Sequence, residues 1–419
     1  MKKQIKQILY DMRTQPLIAW VTVIGTALSI FLIMTVVMIE SVGVMSFSPE
    51  SNRDRMLYGM YVHINKPNGS GGSGSMSYKC AERLYANLKG VEAISFQSDG
   101  AERLDIHGTT DETFTASVRS CDHGFWEVFD HKLLEGRLFS KEEVEAGSKL
   151  AVVSKSTARR LFGPENAIGR HFMLDHNDTE VIGVVEDSSP LAEWAYGEVF
   201  RPIDVISSNE WGGGYFGNIA AAILVEEGTD LESVRDQVKN RYAEFASELK
   251  AEGRDIIYHG APFTQQVYAD GIPGSNNTPD NSADRAINVA VLVILLLVPA
   301  INLSSMLHSR LRRRINDLGV RRAFGCTRGR IVRDIIGENF IVTLAGGLIG
   351  LGAGVLFALF YDGVFTVGGE SVRPSLSMLL NFRIIFSAFA ACFILNIISA
   401  AIPAWQAARM NPVNAINAK

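Results

Sequence analysis

The chain has 419 residues, with 45 acids and 40 bases for a net charge of −5, and 47% of its residues are hydrophobic. That length suits two or three domains, and its four cysteines show no zinc-site spacing. Between Ser46 and Asp284 there are 38 acids and 22 bases, against 7 acids and 18 bases elsewhere, which argues against one uniform domain bathed in one solvent.

Residues 1–15 are basic, and Ile5, Ile8, Leu9 and Met12 share one helical face with the lysines opposite. This is the pattern of an amphipathic helix lying on the inner surface of a membrane. Pro16 opens a first span over 16–45, whose apolar part is Leu17–Ile39. A hydrocarbon core of roughly 30 Å takes ~20 helical residues, and this run supplies them. It is longer than the ~7–15 residues of a signal-peptide core. No small-x-small site follows it, so it reads as an uncleaved anchor.

Residues 46–284 form an acidic extracytoplasmic domain. Leu57–Ile64 predicts a strand, Ser77–Leu88 a helix and Val91–Phe96 a strand. Much later Ala220–Val225 predicts a strand, Leu231–Leu249 a helix and Ile256–His259 a strand. In the second helix Leu231, Val234, Val238, Tyr242, Phe245 and Leu249 recur at spacings of three and four. Two β-α-β units thus bracket a mostly β insert, in which 149–154 and 180–187 are short strands. Asn68–Ser75 reads as a flexible loop at a hairpin tip, and Gly271–Asn281 as a linker. Cys80 and Cys121 share this oxidising side and could pair, although nothing in the sequence brings them together.

Three more apolar runs follow: Ala286–Leu307, Phe340–Tyr361 and Ile384–Trp405. They set spans at 285–308, 335–361 and 383–405, with segments 309–334, 362–382 and 406–419 between and after them. Pro299 predicts a kink in the second span. In the third, Gly346, Gly347, Gly350 and Gly354 let helix backbones approach closely in lipid. Basic residues cluster before the first span, in 309–334 and in the tail, which places both termini and 309–334 in the cytoplasm. The expected fold class is a four-helix α-helical membrane protein with a large extracytoplasmic α+β domain.

Motifs for chemistry are missing. There is no G-x-x-x-x-G-K-[ST], H-E-x-x-H or G-x-S-x-G, so no catalytic, cofactor or metal residues are expected. His123 and His131 read as surface or capping residues. The spans carry essentially no charge, which argues against an ion or proton pathway. What stands out is the segment holding Arg310, Arg312, Arg313, Arg314, Arg321, Arg322, Arg328 and Arg330 around a single acid, Asp317. It is positive enough to set topology or bind lipid headgroups. Its apolar residues Ile315, Leu318, Val320, Ala323 and Phe324, punctuated by Gly319 and Gly325, suit a helix that docks on another protein.

The stretch 312–355 resembles the FtsX-like permease domain of MacB-type ABC transporters. In that family a pattern R-x-x-E-I-G-[IL]-R-[RK]-A-[LV]-G-A-x-R-x-x-I joins the second and third spans. Arg314, Asp317, Leu318, Gly319, Val320, Arg321, Arg322, Ala323, Phe324, Gly325, Arg328 and Ile331 fall on it. Asp317 stands where the family usually has Glu, and Cys326 where it has Ala. Asn302, Glu338 and the ending 403–416 also match. Segments 128–143, 149–170 and 181–187 look like the MacB periplasmic core domain.

The resemblance implies a permease of a bacterial inner membrane that works as a dimer, with a second copy or a related chain. A separate P-loop ATPase would bind ATP and magnesium beneath it, leaving no cofactor in this chain. Residues 314–325 would be the coupling helix that carries the ATPase's closing to the outer domains, a mechanotransmission that drives export. A periplasmic adaptor and an outer-membrane channel are partners the family allows, and nucleic acid is not. A lipoprotein-release or cell-wall-hydrolase-regulating complex, a membrane-anchored sensor or scaffold, and a membrane-bound hydrolase are the competing readings.

Overall fold

The computed structural model describes residues 42–66, 71–108, 113–204, 214–270 and 323–360, the stretches 319–321, 365–367 and 370–372, and isolated positions between 24 and 35, 286 and 305, and 386 and 405. The chain divides into two compact units, Gly43–Ala283 and the combination of Met1–Val42 with Asp284–Lys419.

In the first of these, β1 (Met56–Gly59), β2 (Tyr61–Asn65) and β3 (Gly71–Ser75) precede helix α1 (Tyr78–Tyr85) and β4 (Val91–Ser98). The insert then supplies β5 (Glu102–His107), β6 (Thr113–Cys121), α2 (Phe125–Val128), β7 (Leu133–Gly136), α3 (Lys141–Glu145) and β8 (Leu150–Ser154). It continues with α4 (Lys155–Phe162), β9 (His171–Leu174), β10 (Asn177–Val185) and β11 (Val199–Pro202). The chain returns through β12 (Ile219–Val225), α5 (Leu231–Ala251), β13 (Asp255–Ile257), β14 (Phe263–Thr264) and α6 (Gln265–Ala269).

Strand β12 lies between β1 and β4 and is antiparallel to both, so β1 and β4 run parallel with a strand between them. Likewise β1 separates β12 from β14. The order β4-β12-β1-β14 is therefore two interleaved split β-α-β units, the ferredoxin-like arrangement. Helix α5 buries Val234, Val238, Tyr242, Phe245 and Leu249 as its spacing requires. Asp230 caps its start by accepting from Glu232 N. Ser77 caps α1 by accepting from Cys80 N. From α5, Arg241 donates to the carbonyls of Ala86 and Asn87 just past the end of α1, tying the two helices together.

The insert closes on itself. Strands β6, β5, β9, β10, β8 and β11 pair in turn, and the parallel pairing of β11 with β6 completes a six-stranded barrel. Closure removes free sheet edges. The barrel has its own core, with Ile106, Phe114, Val118, Val153, Phe172, Leu174, Val181 and Val199 packed with Leu161 and Phe162 of α4. Strand β6 belongs to both parts, since Gln97 of β4 pairs with Cys121 at its end.

Several expectations change. Leu57–Ile64 is two strands, because the chain leaves the large sheet at Met60 and β2 pairs with β3 and β13 in a small separate sheet. Gly59 is where β1 ends, and a Cβ there would meet the Tyr85 ring at 2.4 Å. The glycine-rich stretch is a loop only in part: 71–75 is a strand, while 67–70 lie outside the described residues. Cys80 and Cys121 do not pair; both are buried free thiols, on α1 and β6. His131 is neither a surface nor a capping residue. Its ring packs against Phe125, Trp126 and Phe200, and its Nε2–H donates to Ala195 O at 3.0 Å. Residues 1–15 lie outside the described residues.

In the second unit every described position within 17–39, 286–307 and 384–405 is helical. Helix α7 runs over Arg328–Phe360 for 33 residues without a break, and a small hairpin pairs β15 (Phe365–Val367) with β16 (Glu370–Val372). Among the described residues no helix is long and apolar enough to cross a membrane. The third expected span lies on α7 as far as Phe360, and the other three lie outside what the structure describes in full.

Two predictions follow from the cores and their buried ionisable groups. Leu161→Ala, at a fully buried position of the barrel, should cost about 2–5 kcal/mol, read as a lower thermal midpoint. Burial raises the carboxyl of Asp122 to about 7, and lowers His131 to about 4. A raised carboxyl gives stability that is full below its unfolded value near 4 and is lost as pH rises towards 7. A lowered imidazole gives stability that is full above its unfolded value near 6.5 and is lost as pH falls towards 4. Between those limits the two slopes oppose each other. Asp122→Asn should therefore leave a chain that gains about 2–3 kcal/mol from pH 4.5 to 6.5, and His131→Gln one that loses as much. Parallel pH profiles for both variants in chemical denaturation would refute this assignment.

Candidate coupling site

The segment singled out in the sequence is described from Gly319 onwards, apart from Arg322. Arg314, Asp317, Leu318 and Arg322 lie outside the described residues. Gly319, Val320, Arg321 and Ala323 are helical, and the helix stops at Gly325. The stop is local chemistry. Gly325 has φ +88°, a conformation that costs other residues about 1 kcal/mol or more. Cys326 N donates to Arg321 O at 3.0 Å, and Phe324 N to Val320 O at 3.1 Å. This is a Schellman stop, which satisfies the last carbonyls of the helix. Thr327 then starts α7, its carbonyl accepting from Ile331 N at 3.2 Å.

The turn leaves Phe324 89% exposed and Val320 42% exposed, while Gly319 is buried. Arg321, Ala323, Arg328, Arg330 and Arg333, close by in the chain, are exposed as well. An apolar knob with exposed guanidinium groups before and after it in the chain can seat in a pocket of a partner and pair with acids or phosphates nearby. Among the described residues there is no group of three or more metal-binding side chains.

The four glycines of the other sequence motif, Gly346, Gly347, Gly350 and Gly354, are all buried, as is Ala358 one turn on. Near its start the same helix buries Ile331 and Ile335, but further along most of its large apolar side chains point outwards. Leu344, Leu348, Ile349, Leu356 and Phe360 are exposed, whereas Phe357 meets Phe31 edge-on at 5.6 Å between ring centroids.

Sequence reasoning missed a second set of polar residues, in the outer unit. Glu50 is fully buried and pairs with Arg53 at 2.5 Å, and Arg119 is 2% exposed. All three bond to the stretch 191–196 between β10 and β11. The only local signal was an acid three residues before an arginine. The partners lie up to 145 residues away, beyond any periodicity.

Comparison with known proteins supplies the family. The model of the MacB-like periplasmic core domain matches residues 19–241, and that of the FtsX-like permease C-terminal region matches 289–412. The uncharacterized ABC transporter permease YknZ of Bacillus subtilis (strain 168) is 24% identical over 336 residues, which is 80% of this chain and 78% of that protein. The pyoverdine export ATP-binding/permease protein PvdT of Pseudomonas aeruginosa is 24% identical over 421 residues, 98% of this chain but 59% of that protein's length. The crystal structure of the extracellular domain of YknZ superposes with a TM-score of 0.32 and 16% identity, over 47% of this chain and 100% of that one. The first family match alone takes in more than half of the chain, and on these matches the chain belongs to the ABC transporter permeases of the MacB/FtsX type.

Proposed function

We propose that this chain is the membrane-embedded permease subunit of an exporter, and that it passes the motion of a separate P-loop ATPase to its acidic outer domain. The observation that carries this reading is the exposed Phe324 on a Schellman turn, with exposed arginines on both sides of it in the chain, just before a 33-residue helix. Helix α7 starts directly after the turn that presents the knob and is a stiff rod, so a push on the turn reaches the far end of the helix.

The surface of that unit supports a lipid setting. Ile24, Leu28, Ile287, Val293, Ile301, Phe386 and Ile398 are exposed, in addition to the outer face of α7. So many large apolar side chains on one surface suit hydrocarbon or another apolar partner. The buried small residues of α7 fit close helix packing in lipid. The basic cluster on Arg321, Arg328 and Arg330 favours a cytoplasmic position for that end, with Gly43–Ala283 outside. A second permease copy completes the assembly. The substrate is handled outside the membrane, since the apolar runs offer no charged pathway. ATP and magnesium stay on the partner.

The test is a pull-down from detergent with mass spectrometry. Wild-type protein should retain a P-loop ATPase. Phe324→Ala should weaken that retention about ten-fold or more, as removal of a central anchor does. Gly325→Ala, which strains the turn that presents the knob, should weaken it less. Recovery without any ATPase, under conditions that keep other membrane complexes intact, would leave a sensor or scaffold role instead.

A further inference from the structure

We infer that residues 191–196 are a clasp that locks the barrel to the first and last described segments of the outer unit. The incoming segment is 43–55 and the outgoing one is 263–270. Neither belongs to the barrel, yet each is bonded to a stretch of the barrel's own chain, the connection from β10 to β11.

Beyond the turn bonds from Ala192 N to Ser189 O and from Ala195 N and Tyr196 N to Ala192 O, the backbone of this stretch is held by side chains from elsewhere in the unit. Arg53 Nη2 donates to Leu191 O at 2.9 Å, and Arg119 Nη2 to Glu193 O at 2.6 Å. Glu50 Oε1 accepts from Trp194 N at 2.9 Å and from Ala195 N at 3.0 Å. Gln97 Nε2 donates to Trp194 O at 2.8 Å, His131 Nε2 to Ala195 O at 3.0 Å, and Arg119 Nε to Tyr196 O at 2.6 Å. On the outgoing side, Tyr268 Oη donates to the Glu193 carboxylate at 2.7 Å, and its ring meets Trp194 at 5.6 Å between centroids. Gln265 Nε2 also donates to Gly43 O at 2.7 Å, which joins the two segments to each other.

The partners, with Glu50 accepting and the others donating, come from different parts of the fold. Glu50 and Arg53 belong to the incoming segment, Tyr268 to the outgoing helix, Gln97 to the ferredoxin-like sheet and Arg119 to the barrel strand shared by both. The stretch keeps a tight turn of its own, in which Ala195 N and Tyr196 N donate to Ala192 O, but it belongs to no helix or strand, so the position of that turn is set by its side-chain partners. Buried charged partners impose it strongly, because breaking one bond leaves an uncompensated charge. Displacement of the two segments is thereby passed to the barrel as a rigid movement. Its use in the transport cycle rests on the mechanotransmission reading above, but the clasp itself does not.

The test uses the full chain in lipid nanodiscs, with Cys326 and Cys392 replaced by serine. Spin labels are placed at Asp54, exposed on the incoming segment, and at His176, exposed at the β9–β10 turn of the barrel. A control pair at Glu165 and His176 reports on the barrel alone. Glu50→Gln and Arg119→Met should widen the Asp54–His176 distance distribution about two-fold, as expected of a local opening, and leave the control pair unchanged. Tyr268→Phe removes a single hydroxyl, so it tests the same point without threatening the fold, and it should widen the first pair by a smaller amount. An unchanged Asp54–His176 width in all three variants would overturn the clasp. So would equal widening of both pairs in Tyr268→Phe. Absence of a co-purifying ATPase, with the predicted widening present, would count against the proposed function and leave the clasp standing.

Discussion

A carboxylate without solvent cannot be left unpaired, and Glu50 is one. Its burial dictates much of the surrounding structure, because each oxygen needs donors. Arg53 serves one oxygen and two backbone N–H groups serve the other. The arginine in turn needs acceptors, which it finds in Leu191 O and Met45 O, with its cationic face 4.2 Å from the Phe47 ring centroid. The incoming segment, the barrel connection and the aromatic group of Tyr58, Trp194 and Tyr268 are thus fixed by one requirement of charge compensation. Buried ion pairs of this kind add little net stability compared with apolar packing, but they specify one geometry.

Around that point the outer unit has two cores with different logic. The ferredoxin-like part packs helices on one face of a sheet, with β12 buried along its whole length. The barrel packs its own interior and needs only α4 as a plug. The two share β6, so the barrel grows out of the sheet instead of hanging from a linker. The apolar unit follows an inverted rule. From Leu344 onwards, α7 buries Gly346, Gly347, Gly350, Gly354 and Ala358 and exposes Leu344, Leu348, Ile349, Leu356 and Phe360, the reverse of a helix in a water-soluble core.

Much of this was legible in the sequence where the signal was local. The three- and four-residue spacing of Val234, Val238, Tyr242, Phe245 and Leu249 named the buried face of α5. The alternation of charge along the chain separated the two units, and Gly325 marked the end of the helix that precedes α7. What stayed hidden was non-local. Nothing in LYGMYVHI says that its two halves join different sheets, since that choice is made by β12 and β3. Glycine-rich 71–75 forms a strand because β2 supplies the register, against its low intrinsic preference. Barrel closure depends on β11 meeting β6, and the clasp depends on carbonyls that any residue could have supplied. His131 was misjudged for a related reason: a histidine's surroundings are built by Phe125, Trp126 and Phe200 together, not by its neighbours alone.

The pairing of β1 with β14 has an evolutionary implication. These two strands carry the chain into and out of the outer unit, and they lie side by side. A domain whose ends are adjacent can be exchanged as a cassette, because its host must only bridge a short gap. The barrel repeats this at a smaller scale within the ferredoxin-like frame, leaving after β4 and rejoining at β12, its direct neighbour. Recombination among permeases of this type could therefore swap the whole outer domain, or the barrel within it, and keep the rest of the host chain.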